Sequence, residues 1–224
     1  MNVIIFGATG MVGRGVLIEC LRDPAVNSVL CIGRSPLRDR HAKLRSIVVP
    51  DPGNLSTIAG NLTGYDACFF CLGVSAAGMS ESNYRRLTFD LTLGAARTLA
   101  DLDPGMTFIY VSGAGTDSTE HGRVMWARVK GATENALLKL PFKAAYMFRP
   151  GAIQPLHGVT SRTRLYRIIY AVTDPLWPIL RRLFPNQVSS TERIGQAMLA
   201  AASKGAPKPI LEPPDIEALA RTRV

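Results

Sequence analysis

Seven residues, Gly7-Ala8-Thr9-Gly10-Met11-Val12-Gly13, constrain this chain most, because of what stands on either side of them. Val3-Ile4-Ile5-Phe6 is too short for a helix and has no polar face, which predicts a strand buried on both sides. From Met11 to Arg22 the apolar residues Met11, Val12, Val16, Leu17, Cys20 and Leu21 recur at helical spacing, and Asp23-Pro24 ends the pattern. Val29-Leu30-Cys31-Ile32 then gives a second strand, completing a strand-helix-strand unit. A helix N-terminus has unpaired N–H groups and the positive end of the dipole, so it holds phosphate where backbone can approach closely. In this unit Gly7 permits the tight turn, Gly10 clears the space of a pyrophosphate and Gly13 lets the helix pack closely on the sheet. Thr9, Met11 and Val12 complete the contact set expected of the loop.

The second strand ends in Gly33-Arg34-Ser35-Pro36. A dinucleotide site that prefers NAD places an acid here for the adenosine ribose, and one that prefers NADP places an arginine for the 2′-phosphate. No acid stands here. The planar fork of Arg34 suits phosphate oxygens, with Ser35 and Arg14 as helpers, so the expected cofactor is NADP in preference to NAD.

Strands are expected at Ile47–Val49, Ala67–Leu72, Phe108–Val111 and Ala144–Phe148, with helices over Glu81–Leu102 and Trp126–Leu140. Strands alternating with helices predict an α/β fold, a doubly wound parallel sheet whose ligands bind at the carboxyl ends of the strands. Asp51 is placed near the adenine, and Leu72, Gly73 and Val74 near the ribose or nicotinamide. Ser189-Ser190-Thr191-Glu192 predicts a capping box for a helix through Ala202, and Ile210-Leu211 a last strand.

With 224 residues and 47% apolar content the chain can bury one substantial core, and no repeat or linker divides it. A single domain is expected: residues 1–153 form the nucleotide-binding core and residues 154–224 a small helical C-terminal cap. No apolar stretch is long enough to span a membrane and the N-terminus reads as a core strand, which predicts a cytoplasmic protein, monomeric or homodimeric. The net charge of +9 is scattered, with no nucleic-acid-binding signature, so it reads as general attraction for anionic ligands and not for a specific nucleic acid. Arginines 162, 164, 167, 181 and 182 are interspersed with aromatic and aliphatic residues. That segment reads as a cover for a substrate pocket, with contact at a membrane surface the less favoured reading. Cys68 and Cys71 have C-x-x-C spacing, but on a strand they point to opposite faces, so they read as core residues. His41, His121 and His157 are too dispersed for a metal site, and no metal is expected.

The order of these motifs over residues 1–153 resembles the short-chain dehydrogenase/reductase superfamily, in its extended or atypical NAD-dependent epimerase-like branch with a Rossmann fold. The resemblance rests on Gly7–Gly13, Arg34, Cys71-Leu72-Gly73, Val111-Ser112-Gly113, Lys130 and Arg149-Pro150-Gly151. It implies that Ser112 bonds a substrate carbonyl, that Lys130 holds the nicotinamide ribose, and that Pro150, Gly151 and Ile153 back the nicotinamide. The family's proton donor is a tyrosine four residues before the lysine, and here that position is Trp126. An indole N–H donates a hydrogen bond but does not titrate usefully. Two readings follow. The chain is an NADP-dependent oxidoreductase or epimerase-like enzyme acting on a small carbonyl or sugar-like substrate, or a dinucleotide-binding sensor or interaction module that lost catalysis. Tyr84 and His121 are candidate replacements by residue type alone, with core packing expected for Tyr84 and solvent exposure for His121.

Overall fold

A computed structural model describes residues 1–156, 177 and 187–223. One parallel sheet of seven strands runs in the order β3-β2-β1-β4-β5-β6-β9. Its strands are β1 (Asn2–Phe6), β2 (Ser28–Gly33), β3 (Leu44–Val48), β4 (Ala67–Phe70), β5 (Thr107–Val111), β6 (Ala144–Phe148) and, last in the chain, β9 (Ile210–Leu211). Two short strands, β7 (Ala152–Gln154) and β8 (Val188–Ser190), pair in parallel beside it. The order reverses at β1, whose neighbours are β2 on one side and β4 on the other. Loops leaving the carboxyl ends of β1 and β4 diverge there, and a crevice opens between them.

Alternation along each strand divides the core into two layers. Val3 and Ile5 of β1, Val29 and Cys31 of β2, and Ala67 and Phe69 of β4 face one side. That side is covered by α1 (Met11–Arg22), α5 (Thr191–Lys204) and α6 (Pro213–Arg221). Ile4, Phe6, Leu30, Ile32, Cys68 and Phe70 face the other side, against α3 (Leu91–Leu102) and Leu137 at the end of α4 (Met125–Leu137). Phe6, Phe70 and Phe108 stack in sequence on this second side, at 4.9 and 5.8 Å between ring centroids. Cys68 and Cys71 fall on opposite layers, as their spacing requires.

Several boundaries differ from the sequence reading. β3 begins at Leu44, three residues before the apolar run, because an edge strand bonds one neighbour only and tolerates the exposed Arg45 and Ser46. The long helix over residues 81–102 is three pieces: α2 (Glu81–Arg85), a π-helical turn (Arg86–Asp90) and α3. Ser190 caps α5 by accepting from the Arg193 N–H at 3.2 Å, so the third helical position holds an arginine and the reciprocal half of the expected box does not form. α6 was not anticipated, although Pro213 at its first turn and the Glu212 N–H donating to Asp215 Oδ2 at 2.8 Å mark a helix start.

In the described part of the tail, residues 187–223, β9 extends the sheet beside β6, as expected of Ile210-Leu211, and α5 lies across α1. That crossing is close because of small residues. A Cβ on Gly15 would come within 2.4 Å of Thr191 Cβ, and one on Gly195 within 2.8 Å of the Glu19 side chain. Apart from Trp177, the basic aromatic segment and His157 lie outside the described residues.

Candidate functional site

The crevice at the switch point is walled by glycines of two kinds. Gly7 has φ +80°, and a Cβ there would meet the Cys71-Leu72 backbone at 2.8 Å; a Cβ on Gly13 would lie 2.3 Å from the Gly7 carbonyl oxygen. The fold itself requires these two, and Gly13 packs on the loop more directly than on the sheet. Gly33 and Gly73 have no protein atom within 4 Å of a built Cβ, and Gly10 has only the Gly7 oxygen at 3.3 Å. No left-handed backbone demands glycine at these three positions. Their missing side chains keep open a volume that a ligand would occupy.

Two cavities meet in this crevice, of about 530 and about 670 Å³, and they share Gly10 and residues 71–75 on their walls. The first is lined by Gly7, Thr9, Gly10, Arg34, Ser35, Leu72, Gly73 and Val74, together with Leu37 and Ser46, which the sequence reading did not include. The N-terminus of α1 opens here. Its N-cap is Gly10, with no side-chain cap and no acid in the first turn, whereas α2 and α5 are each capped by a serine and carry a glutamate in the first turn. Its first N–H groups and the positive end of its dipole are thus left for an anion. Arg34 is exposed at the rim, as is Ser35.

Two expected members are displaced. The Arg14 guanidinium is held by Asp39 through both nitrogens, with Nη2 to Oδ1 at 2.8 Å, so it does not assist Arg34. That bond also holds the Asp39 carboxyl below its usual range. Asp51 does not line the cavity. Its Oδ1 accepts from the Gly53 N–H at 2.9 Å, closing its own turn, and Gly53 in turn packs against Gly94 of α3.

The second cavity brings together Gly10, Met11, Val12, Leu72, Gly73, Val74, Ser112, Trp126, Lys130, Pro150, Gly151 and Ile153. The Lys130 ammonium donates to the Ser112 carbonyl. Burial pushes its pKa down to about 8 against the opposing pull of Glu134. α4 is pressed onto the preceding loop at Gly131, where a Cβ would overlap the Asp117 carbonyl oxygen at 1.7 Å. This glycine, next to Lys130, was legible in the chain but was not singled out.

Ser112 does not stand as expected. Its hydroxyl is buried and donates to the Phe148 carbonyl at 3.1 Å, so it braces β5 against β6 and offers the site its carbonyl instead. The next residue, Gly113, has φ +150°, and nothing lies within 4 Å of a built Cβ. Trp126 lines the same wall, and its Cη2 lies 3.7 Å from a Cβ built on Gly115. Tyr84, expected in the core, is both buried and part of the cavity wall. An ion pair between Arg128 and Glu81 at 2.7 Å ties α4, which carries Trp126, to α2, which carries Tyr84. His121 is exposed and does not line the cavity. Among the described residues no group of histidine, cysteine and carboxylate side chains is arranged to hold a metal ion.

No family model matches the chain. Protein fmp52 of Emericella nidulans, named as mitochondrial, is 31% identical over 159 residues, which are 68% of this chain and 66% of that protein. Protein fmp52-2 of Aspergillus terreus, also named as mitochondrial, is 28% identical over 88% of this chain and 85% of its own length. HTATIP2 of Rattus norvegicus is 29% identical over 68% of this chain and 62% of its own. Among solved structures, the Bordetella bronchiseptica enzyme WbmF, in complex with NAD+, superposes with a TM-score of 0.67 at 15% identity, covering 98% of this chain and 76% of that one. MoeE5, in complex with UDP-glucose and NAD, gives 0.66 at 16% identity over 95% of this chain and 75% of that one. The chain belongs to the short-chain dehydrogenase/reductase superfamily.

Membership accounts for the sheet order and the glycine loop. It also sharpens the departure, since neither the family's tyrosine nor a free serine hydroxyl stands beside Lys130. The expected cytoplasmic location is overturned by the relatives, because the fmp52 proteins carry a mitochondrial location in their names. The chain spans about two thirds of the length of the first of these relatives.

Proposed function

We propose that the protein binds NADP(H) along the crevice and does not carry out the tyrosine-assisted carbonyl reduction of its superfamily. The observation that carries the reading is the pairing of glycines at 10, 33 and 73, open for no reason internal to the fold, with an uncapped α1 N-terminus. Gly10 and the first N–H groups of α1 would hold the pyrophosphate, Arg34 and Ser35 the 2′-phosphate, and Lys130 the nicotinamide ribose. Pro150, Gly151 and Ile153 would back the nicotinamide, which when bound supplies or accepts a hydride. In a single domain, this chain's own part is to orient the cofactor and to exclude water with apolar walls. The proton transfer has no family group to perform it, because Trp126 does not titrate and the Ser112 hydroxyl is committed to Phe148. The names of the fmp52 relatives support a mitochondrial setting.

The test is calorimetric titration with NADPH and NADH, beside turnover of generic aldehydes and ketones. We expect tighter binding of NADPH, reversal or loss of that preference in Arg34→Asp, and negligible turnover. Equal affinities for the two cofactors, unchanged in Arg34→Asp, would remove Arg34 from the site. One observation favours a second reading, an oxidoreductase with a relocated proton donor: Tyr84 lines the cavity that holds Lys130. Under that reading ketone turnover is measurable and disappears in Tyr84→Phe.

A further inference from the structure

The nicotinamide end of the crevice has an unusual chemical composition. Among the described residues its wall carries one charged side chain, Lys130, and no carboxylate, amide or imidazole. Three hydroxyls stand on it: Ser112, which donates to the Phe148 carbonyl, Ser75, whose Oγ accepts from the Ala77 N–H at 3.3 Å, and the phenol of the buried Tyr84. The remainder is glycine, alanine, aliphatic residues, Met11, Cys71 and the half-buried indole of Trp126. A sugar presents several hydroxyls, each of which loses water on entry and needs a partner, and the described part of this wall has few to give. A flat, apolar ring finds the opposite: aromatic surface to stack on and aliphatic surface to cover it.

The reaction imposes a second condition. Adding a hydride to a simple ketone or to an oxidised sugar creates an alkoxide, a strong base that needs a proton donor at hand. The family uses its tyrosine for this, and here the position is Trp126. Adding a hydride to a quinone creates a hydroquinone monoanion, whose charge is spread over a phenolate-type ring and whose acidity resembles that of a phenol, with a pKa of about 10. Such an anion survives without a general acid, and the Lys130 ammonium is the cation available in the wall to stabilise it.

Resting on the reading of the crevice as an NADP(H) site, we infer that its nicotinamide end takes a planar aromatic quinone, stacked on Trp126. In the redox step the reduced nicotinamide supplies a hydride, whose two electrons reduce the quinone to its hydroquinone monoanion, and the cofactor leaves oxidised. The second proton comes from water on release, so no residue of the chain has to titrate. Among the described residues the same wall offers few partners to the reacting sugar of a nucleotide-sugar, the type of ligand bound to the structural neighbour MoeE5.

The experiment separates cofactor from acceptor. NADP+ is first titrated calorimetrically into the protein, and failure to bind overturns the cofactor site and this inference together. With NADP+ saturating, 9,10-phenanthrenequinone and UDP-glucose are titrated separately, so that binding is read without turnover. We expect the quinone to bind and UDP-glucose not to. We also expect Trp126→Ala to weaken the quinone at least tenfold while NADP+ affinity changes less than threefold, and Trp126→Phe to recover most of the loss. With NADPH, and oxygen excluded so that the hydroquinone is not reoxidised, the quinone should then be consumed one for one with the cofactor. NADP+ binding without quinone binding overturns the inference alone, as does quinone affinity indifferent to Trp126→Ala. Reduction of a simple ketone at a rate comparable to the quinone, lost in Tyr84→Phe, overturns it as well and restores a proton donor to the site.

Discussion

Replacing Glu134 with alanine should be among the most damaging single changes outside the apolar core. Glu134 is fully buried on α4, where its carboxylate accepts from Arg149 Nε at 3.1 and 3.2 Å and from Nη2 at 2.5 Å. Arg149, at the end of β6 and itself buried, also donates to Glu212 at 3.0 Å and to the Ser118 hydroxyl at 2.5 Å. Breaking a buried pair from one side leaves an uncompensated charge, which costs roughly 3–5 kcal/mol. Glu212 remains as a partially exposed partner, so the lower end, about 3 kcal/mol, is expected. For a chain of this size that corresponds to a fall in Tm of roughly 6–12 °C. Urea unfolding followed by circular dichroism measures it, with an unchanged slope showing that the denatured state is not altered. Because desolvating both ions offsets much of their attraction, the double replacement Glu134→Leu with Arg149→Met should recover most of the loss, giving a coupling energy of about 2 kcal/mol or more. A Glu134→Ala variant destabilised by less than about 1 kcal/mol, or a double variant as unstable as the sum of the singles, would refute the argument.

Three further outcomes follow from the site. Gly73→Val should leave the melting temperature within a few degrees while weakening NADPH at least tenfold in calorimetry, since a Cβ there meets no protein atom within 4 Å. Gly13→Ala should do the reverse of a local lesion, lowering Tm and cofactor affinity together, because its Cβ would overlap the Gly7 carbonyl oxygen at 2.3 Å. For Lys130, burial lowers the pKa to about 8 in the folded chain, and unfolding restores the ordinary lysine value of about 10.4. Between these pH values the unfolded chain binds more protons, so this group's contribution to stability rises with pH across that window. Comparison of wild type with Lys130→Met by urea midpoint at pH 7 and pH 10 should show wild type gaining by about 1–3 kcal/mol relative to the variant. An unchanged difference would mean that Lys130 titrates as an exposed lysine.

The sheet was legible because parallel strands buried on both faces are continuous apolar runs, as in Val3–Phe6 and Ala67–Phe70, and each is followed by glycine or by a helical pattern. The edge strand β3 was legible only at its apolar end, since exposed positions such as Arg45 carry no periodic signal. Arg34 was found from its position after a strand and Lys130 from the family resemblance, and both line the crevice. Asp51 and Arg14 were chosen by charge and place in the chain, and each is occupied by a partner that the chain's order does not reveal, Gly53 and Asp39. Ser112, just past the end of β5, lines the crevice together with Gly113, but its hydroxyl bonds the neighbouring strand's carbonyl, a partner that the order of the chain does not reveal. Tyr84 looked like core from its helical spacing, and burial and cavity-lining turned out to be compatible at a helix beside a crevice.

The close crossing of α1 and α5 has a consequence for the order in which a new chain matures. The face of α1 that carries Gly15 and Val16 is covered by Thr191 and Gly195, about 180 residues later in the chain. As the ribosome delivers residues from the N-terminus at roughly 5–20 per second, the glycine loop and its helix emerge early but wait on the order of ten seconds or more for their cover. During that interval Val16, Leu17 and Cys20, all fully buried in the finished fold, are open to water or to a chaperone. The helix that follows the glycine loop is therefore covered by residues made about 180 positions later. Nascent chains stalled before residue 187 should neither retain a nucleotide nor resist protease at α1.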